Sequence, residues 1–428
     1  MQVRGTRRLI VAACALLLVA TACGNESSGS KSGGGGGGSD KQATVDQPGV
    51  TADAIKVGGV ASITNPLNAP YGDIFKGVKA YFAMVNKEGG IYGRKLEVTS
   101  ERDDQVTQNL REVQGLLSED DVFAAAGMAT IFDFSGGSQA LATNGIPTFG
   151  WNINSDWNKP NLFGNSGALC IGCEGVELPW MAKQLDKHVV GVLAYSVDNS
   201  KDCAKGVQKS FDKFPSAKIG FYSDSLSFGD VDFSVEVSKM KDAGVDFITT
   251  CMDTNGVLAL AKEARKQNLD AIQYLPNGYD QAFMKANGSF FEGSYVRVPF
   301  VPFETSPRPK SLDQYLTWMK KQGDTPTESS TYGWINATML VEGLKAAGPN
   351  FTQAKVVDAL NKMKADTANG MIPPIDWTTQ HTETRPPEGC AALVKVVKNK
   401  FVPAFVPKGK VFICFPRDAT LSTKPTYK

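Results

Sequence analysis

The residues able to do chemistry are few. His188 and His381 are the two histidines in a chain of 428 residues. Metal sites and acid–base catalysis both lean heavily on histidine. Standing so far apart, these two read as ordinary surface or core residues. Asp103-Asp104 could be taken as a carboxylate pair for catalysis. Adjacent residues at a strand end point apart, so helix capping or lobe packing is the expected role. Gly89-Gly90-Ile91-Tyr92-Gly93-Arg94-Lys95 lacks the spacing of a phosphate loop. No G-x-S-x-G nucleophile turn, H-E-x-x-H helix or calcium-loop pattern is present. The expectation is a protein that is not an enzyme and carries no metal or cofactor.

The N-terminus says where such a protein works. Arg4, Arg7 and Arg8 precede an apolar run, Leu9 to Thr21. That run falls well short of the roughly 20 residues that span a bilayer. A basic start, a short apolar core and small residues before a break read as a secretory signal, residues 1–22. Val19-Ala20-Thr21-Ala22-Cys23-Gly24 resembles a bacterial lipobox, with Ala20 where Leu is commoner. That resemblance implies a lipid on Cys23 and a place on the extracellular face of the cytoplasmic membrane. Residues 23–44, with the glycine run Gly33–Gly38, cannot bury a core. They form a flexible linker with a reach of about 25 Å.

An exported chain with an even set of cysteines suggests disulfides. Cys14 leaves with the signal. Cys170, Cys173, Cys203, Cys251, Cys390 and Cys414 remain. Many pairings are open; Cys170–Cys173, Cys203–Cys251 and Cys390–Cys414 are the expected ones. Cys170-x-x-Cys173 could instead be a redox motif or half a zinc site. A zinc site of four cysteines needs a second close pair, and a thioredoxin-type motif opens a helix after a strand. This pair sits among Gly and Ser, which favours a structural bridge.

The body that must position any site begins near Val45 and is long enough for two domains. Lys plus Arg number 45 against 44 Asp plus Glu, with no block of one sign. Nucleic acid, which needs a concentrated basic patch, is not an expected partner. Strand-like and helix-like segments alternate. Strands are expected at Ile55–Ala61, Lys95–Ser100, Val122–Gly127 and Ile146–Gly150, with helices at Tyr71–Lys87, around Leu110–Leu117 and at Ser135–Thr143. The pattern restarts with strands at Val189–Ser196, Lys218–Tyr222, Val245–Met252 and Ile272–Leu275, separated by helices at Ser200–Phe214, Phe233–Met240 and Gly256–Lys266. Helices at Ser311–Lys321, Tyr332–Ala347 and Thr352–Lys364 follow, then a hairpin around Lys398-Asn399-Lys400. Two such series predict an α/β chain with two doubly wound parallel-sheet lobes.

Ile55-Lys56-Val57-Gly58, Pro66, Tyr71-Gly72-Asp73, Gly89-Gly90-Ile91-x-Gly93-Arg94-Lys95-Leu96-Glu97 and Asp103-Asp104 come in an order and spacing that is fairly specific. With Asp232-Phe233-Ser234, Asp246-Phe247, Ala261–Leu269 and Met371–Trp377, they resemble the substrate-binding proteins of ABC importers for branched-chain amino acids, the leucine/isoleucine/valine type. The resemblance covers most of the body and is tight in its first part. It implies a type I periplasmic-binding-protein fold, with three crossovers near Ser166, Val296 and Trp377 joining the lobes. Lobe 1 is then 45–166 plus 297–377, and lobe 2 is 167–296 plus 378–428. It also implies a monomer that captures a small amino acid or related organic acid and delivers it to an ABC permease. A ligand sensor of the same fold, and more remotely an exported enzyme, are the alternatives.

The resemblance also assigns positions. Tyr71 is expected at the cleft. Ala129, Thr130 and Ile131 stand where the family holds a ligand carboxylate, although Ile131 replaces a Ser. Asn152 and Asn154 follow the next strand and could bond ligand or form turns. Asn199 and Asp253 occupy strand-end loops where the family places Tyr. Asn277 stands where the amino-acid binders carry a Glu for the ligand ammonium. A buried ammonium needs a negative charge. Asp253 or Asp280 is expected to supply it, or else the ligand lacks a free amine. Tyr195, Tyr279 and Tyr332 are further aromatics for which packing is the expected role.

Overall fold

The structure is a computed structural model that describes residues 44–133, 136–151, 153, 157–167, 170–381 and 389–428. The first series runs β1 (Ala54–Ala61), α1 (Asp73–Lys87), β2 (Lys95–Asp103), α2 (Asn109–Ser118), β3 (Ala124–Met128), α3 (Gly137–Asn144), β4 (Thr148–Gly150) and β5 (Leu162–Gly164). The second runs α4 (Glu177–Gln184), β6 (Val189–Tyr195), α5 (Asp198–Lys213), β7 (Lys218–Leu226), α6 (Ser234–Asp242), β8 (Phe247–Cys251), α7 (Thr254–Lys266), β9 (Ile272–Leu275), α8 (Gln281–Asn287) and β10 (Tyr295–Val298). Four helices follow: α9 (Lys310–Gln322), α10 (Glu328–Ala347), α11 (Gln353–Leu360) and α12 (Trp377–Gln380). The chain ends in β11 (Gly389–Val397), β12 (Lys400–Ala404), β13 (Ile413–Phe415) and β14 (Thr426–Tyr427).

The strands form two sheets. One has the order β2-β1-β3-β4-β5 and is parallel throughout. The other has the order β14-β13-β11-β10-β9-β8-β6-β7 with β12 paired to β11. Each begins with the same reversal: β1 lies between β2 and β3, as β6 lies between β7 and β8. Strands β6 to β10 are parallel, whereas β10–β11, β11–β12, β11–β13 and β13–β14 are antiparallel. The expectation of parallel sheets therefore holds for the doubly wound part and not for the C-terminal extension. Hairpins need no crossover helix. Lys398 and Asn399 take φ of +50° and +60°, the turn that matches the twist of β11 and β12. Helices α9 and α10 return to pack on α1, and α10 also covers β3 and β4.

Helix α10 is buried along most of its length, from Ser330 to Leu344. A helix apolar on all sides belongs in a core. It lies against α1 almost backbone to backbone. A Cβ at Gly333 would run into the Ile74 carbonyl oxygen, and one at Gly77 into that of Ser330. Trp334 sits edge-on to Tyr81 at 4.8 Å and to Tyr315 at 5.5 Å. Three disulfides are present: Cys170–Cys173, Cys203–Cys251 and Cys390–Cys414, the last between the paired strands β11 and β13. His381 is held by the Leu162 carbonyl at 3.0 Å and Asn361 Oδ1 at 2.7 Å, while His188 is on the surface. Asp104 holds the turn before α2, accepting from Val106 N at 2.8 Å and Asn109 Nδ2 at 3.2 Å.

Two predictions follow from this packing. Gly333→Ala should cost about 1–3 kcal/mol in denaturant unfolding through overpacking. Gly175→Ala, where a Cβ meets open space, should stay within about 0.5 kcal/mol of the parent. Equal losses would contradict the close α1–α10 approach. The second concerns Glu342. Burial, then the adjacent Asp366, push its carboxyl up to about 8. Below the ordinary carboxylate range both the folded and the unfolded chain hold this proton. Between that range and about pH 8 only the folded chain does, so stability falls as pH rises through that window. Glu342→Gln should raise the unfolding midpoint by a few degrees at pH 8 and leave it unchanged at pH 4.

Candidate ligand-binding site

In open α/β sheets a ligand sits beyond the carboxyl ends of the strands, where the strand order reverses. In the first sheet those ends lead into residues 62–72 after β1 and 129–136 after β3. In the second they lead into 196–197 after β6 and 252–253 after β8. The two sets of loops meet. Asn255 Nδ2 donates to the Leu67 carbonyl at 2.6 Å, and Asn199 Nδ2 to that of Ile131 at 3.4 Å. Phe132 meets Phe228 at 5.0 Å, within a cluster that also holds Leu67, Val106 and Ile131.

Asn65 shapes the loop after β1. Its Oδ1 accepts from Leu67 N and Ala69 N at 3.1 Å, and its Nδ2 donates to Ser62 O and Ala69 O at 2.9 Å. This Asx-type folding delivers Tyr71 to the start of α1. The Tyr71 ring stacks on Trp151 at 5.4 Å and 21°. Trp151 stacks in turn on Tyr332 at 6.3 Å and 20°. The three rings form one near-parallel row. Burial, then the charges of Asp253 and Glu328, hold the Tyr71 phenol well above its usual range.

Two backbone donors of the expected carboxylate cradle, at Ala129 and Ile131, are already taken. Gly127, at φ +88°, puts an irregularity in the β3–β4 pairing and turns the following residues back into the sheet. The Ala129 N–H then donates to the Val60 carbonyl at 3.0 Å, and Ile131 N–H to Ser62 Oγ at 3.1 Å. The Ile131 side chain is buried in the apolar cluster with Phe132. Of the three residues read from the resemblance, only Thr130 keeps a hydroxyl to offer, and it is buried.

On the opposite side, Tyr195 donates to Asp253 Oδ2 at 2.5 Å, while Asp253 Oδ1 caps α7 by accepting from Asn255 N at 2.8 Å. Burial, then Asp253, push the Tyr195 phenol well up. Cys203–Cys251 ties the end of β8 to α5, whose first turn carries Asn199, and so fixes this loop against it. Asn277 Nδ2 donates to the Met252 carbonyl at 3.1 Å. Its Oδ1 is buried with no protein partner. Asp280, expected as a replacement charge, instead caps α8 through Phe283 N at 2.8 Å. Tyr279 is core: its hydroxyl bonds Glu304 Oε2 and accepts from Phe303 N.

The residue that the sequence reading missed is Glu328. Helix α10 begins one turn earlier than the expected Tyr332, because Thr327 and Ser330 form a reciprocal cap. That extra turn carries Glu328, half-buried, whose Oε1 accepts from Tyr332 Oη at 2.9 Å. Burial pushes its carboxyl up to about 7, against bonds from Tyr332 and from the backbone at Tyr279 and Gly278. The Thr327-x-x-Ser330 spacing was the available signal. Trp151 was named only as a neighbour of Asn152 and Asn154, yet its ring is central. Asn152, Asn154 and Cys23 lie outside the described residues.

A hollow of about 1180 Å³ lies away from the ring row. Arg297, Glu177, Tyr274, Asn165 and Pro373 help line it, and none of the described candidate ligand residues does. Arg297 pairs there with Glu177 at 3.4 Å. Among the described residues, no helix is long and apolar enough to cross a membrane.

Known proteins resemble this chain in sequence and in fold. The leucine-, isoleucine-, valine-, threonine- and alanine-binding protein of Pseudomonas aeruginosa is 24% identical over 333 residues, covering 76% of this chain and 86% of its own. A fatty acid ABC transporter substrate-binding protein from Thermomonospora curvata superposes with TM-score 0.69 at 19% identity, over 84% of this chain and 94% of that one. A solute-binding protein from R. palustris in complex with benzoate gives TM-score 0.64 at 16% identity, over 87% and 100%. The periplasmic binding protein family matches residues 54–400, from the first residue of β1 to the first of β12. Running through both sheets, that match shows that the chain belongs to the periplasmic binding proteins, with their type I two-lobed fold.

Proposed function

We propose that this chain captures a small amino acid or related organic acid for an ABC importer. A lipid on Cys23 holds it at the extracellular face of the cytoplasmic membrane, and its closed form docks on a permease. Residues 45–166 and 297–377 act as one lobe, 167–296 and 378–428 as the other. The observation that carries this reading is the Tyr71–Trp151–Tyr332 row, within reach of the Asp253 charge, beside loops already bonded to one another. Amino acids are named for the Pseudomonas relative, and fatty acid and benzoate for two structural neighbours. Those names support a class running from amino acids to amine-free carboxylates. Capture is non-covalent. Closure is driven only by the solute's greater affinity for the closed form.

Thermal unfolding of protein stripped of bound solute tests this. A ligand specific to the folded state raises the midpoint with the logarithm of its concentration. At least one amino acid, amine-free carboxylate or amide should do so. Tyr71→Ala and Trp151→Ala should each weaken that ligand by about tenfold or more, through lost stacking and buried area. Parental affinity in both variants would put the binding site elsewhere.

A further inference from the structure

Most of the charges felt around the ring row are negative. Asp253 and Glu328 act on Tyr71, Asp280 acts on Glu328, and Asp253 and Asp230 act on Tyr195. Arg297 also reaches Tyr332, but it is paired with Glu177. Two acceptors lack a matching cation: the Glu328 carboxylate, bonded to Tyr332 of the row and to the backbone at Gly278, and the buried, unpartnered Oδ1 of Asn277, the residue before Gly278. The donors that would hold an anion at residues 129 and 131 are spent on Val60 and Ser62. A site of this kind favours a donor-bearing cation over a bare anion. The faces of Tyr and Trp rings attract cations as well.

We infer that Glu328 binds a protonated amine of the solute beside the Tyr71–Trp151–Tyr332 row, and so makes the cleft selective for amine-bearing solutes. The inference rests on the solute-capture reading above. It replaces the expectation that a neutral Asn277 implies a ligand without an amine. The negative charge comes from α10, where Glu328 meets the backbone at Gly278 and Tyr279 just after Asn277, and Asn277 adds a neutral acceptor. The raised pKa of the empty site agrees. Burial disfavours the ionised carboxylate there despite its bonds from Tyr332 and the backbone, and a cation arriving beside it favours the ionised form.

The test uses three matched probes on the full-length protein after stripping: leucine, its amine-free partner 4-methylpentanoate, and the carboxylate-free 3-methylbutylamine. Benzoate is added as a second amine-free acid. Midpoint shifts are converted to apparent affinity for the parent, Glu328→Gln and Glu328→Asp. The expected result is binding of at least one amine-bearing probe by the parent. Glu328→Gln should lose about tenfold or more of that affinity, and Glu328→Asp should recover part of it. The midpoint of each variant without probe shows that it is folded. Parental affinity for the amine probes in Glu328→Gln would overturn the assignment. Binding of 4-methylpentanoate or benzoate alone would overturn the selectivity and leave solute capture standing. No shift with any probe would overturn both.

Discussion

A solute enclosed between two sheets must find inside the cleft every partner that it left in water. An unpaired polar group or charge there costs more than apolar contact returns. The rest of the molecule can be read as the means of satisfying that constraint. Both sheets reverse strand order at their carboxyl ends, so each offers loops whose backbone is already anchored by strands. The loops are then fixed one by one. Asn65 folds the segment before Tyr71, Asp253 caps α7 while bonding Tyr195, and a disulfide ties α5 to β8. What remains to vary is small: a row of rings and a few acceptors.

Helix α10 links core to cleft. Its middle is packed against α1 through Gly77 and Gly333, which fixes its axis to within the slack of a backbone contact. Its first turn, still held to α1 at Ser330, delivers Glu328 and Tyr332 to the ring row. A polar group at the end of a rigid, buried helix is positioned more tightly than one on a free loop. Carboxylate and ring therefore come from the same element, one turn apart, and their mutual hydrogen bond is set by helix geometry.

Much of the fold was legible because alternating apolar periods are local. Strands such as Ile272–Leu275 and helices such as α9 follow from periodicity alone. Strands β5, β13 and β14 carried too few residues for a pattern, and tertiary pairing makes them; β10 and helix α4 were missed as well. The cleft was half legible. Tyr71 follows a strand with a recognisable motif, and the odd Ile131 and Asn277 were visible as departures. Their consequence was not. Whether the Ile131 N–H is free depends on Ser62, far back in the chain. The charge missing at Asn277 was sought in neighbouring loops, at Asp253 and Asp280, both of which turn out to be helix caps. Glu328 lies a long way along the chain, and only the packing of α10 brings it back.

The most direct measurement is the crystallographic position of leucine, or of whichever probe binds most tightly, in co-crystals. The account places the solute between the Tyr71–Trp151–Tyr332 row and the Asp253–Asn277 loops, with its donor group in hydrogen-bond reach of Glu328. A solute lodged instead in the hollow around Arg297 and Glu177, with the ring row unaltered, would contradict it.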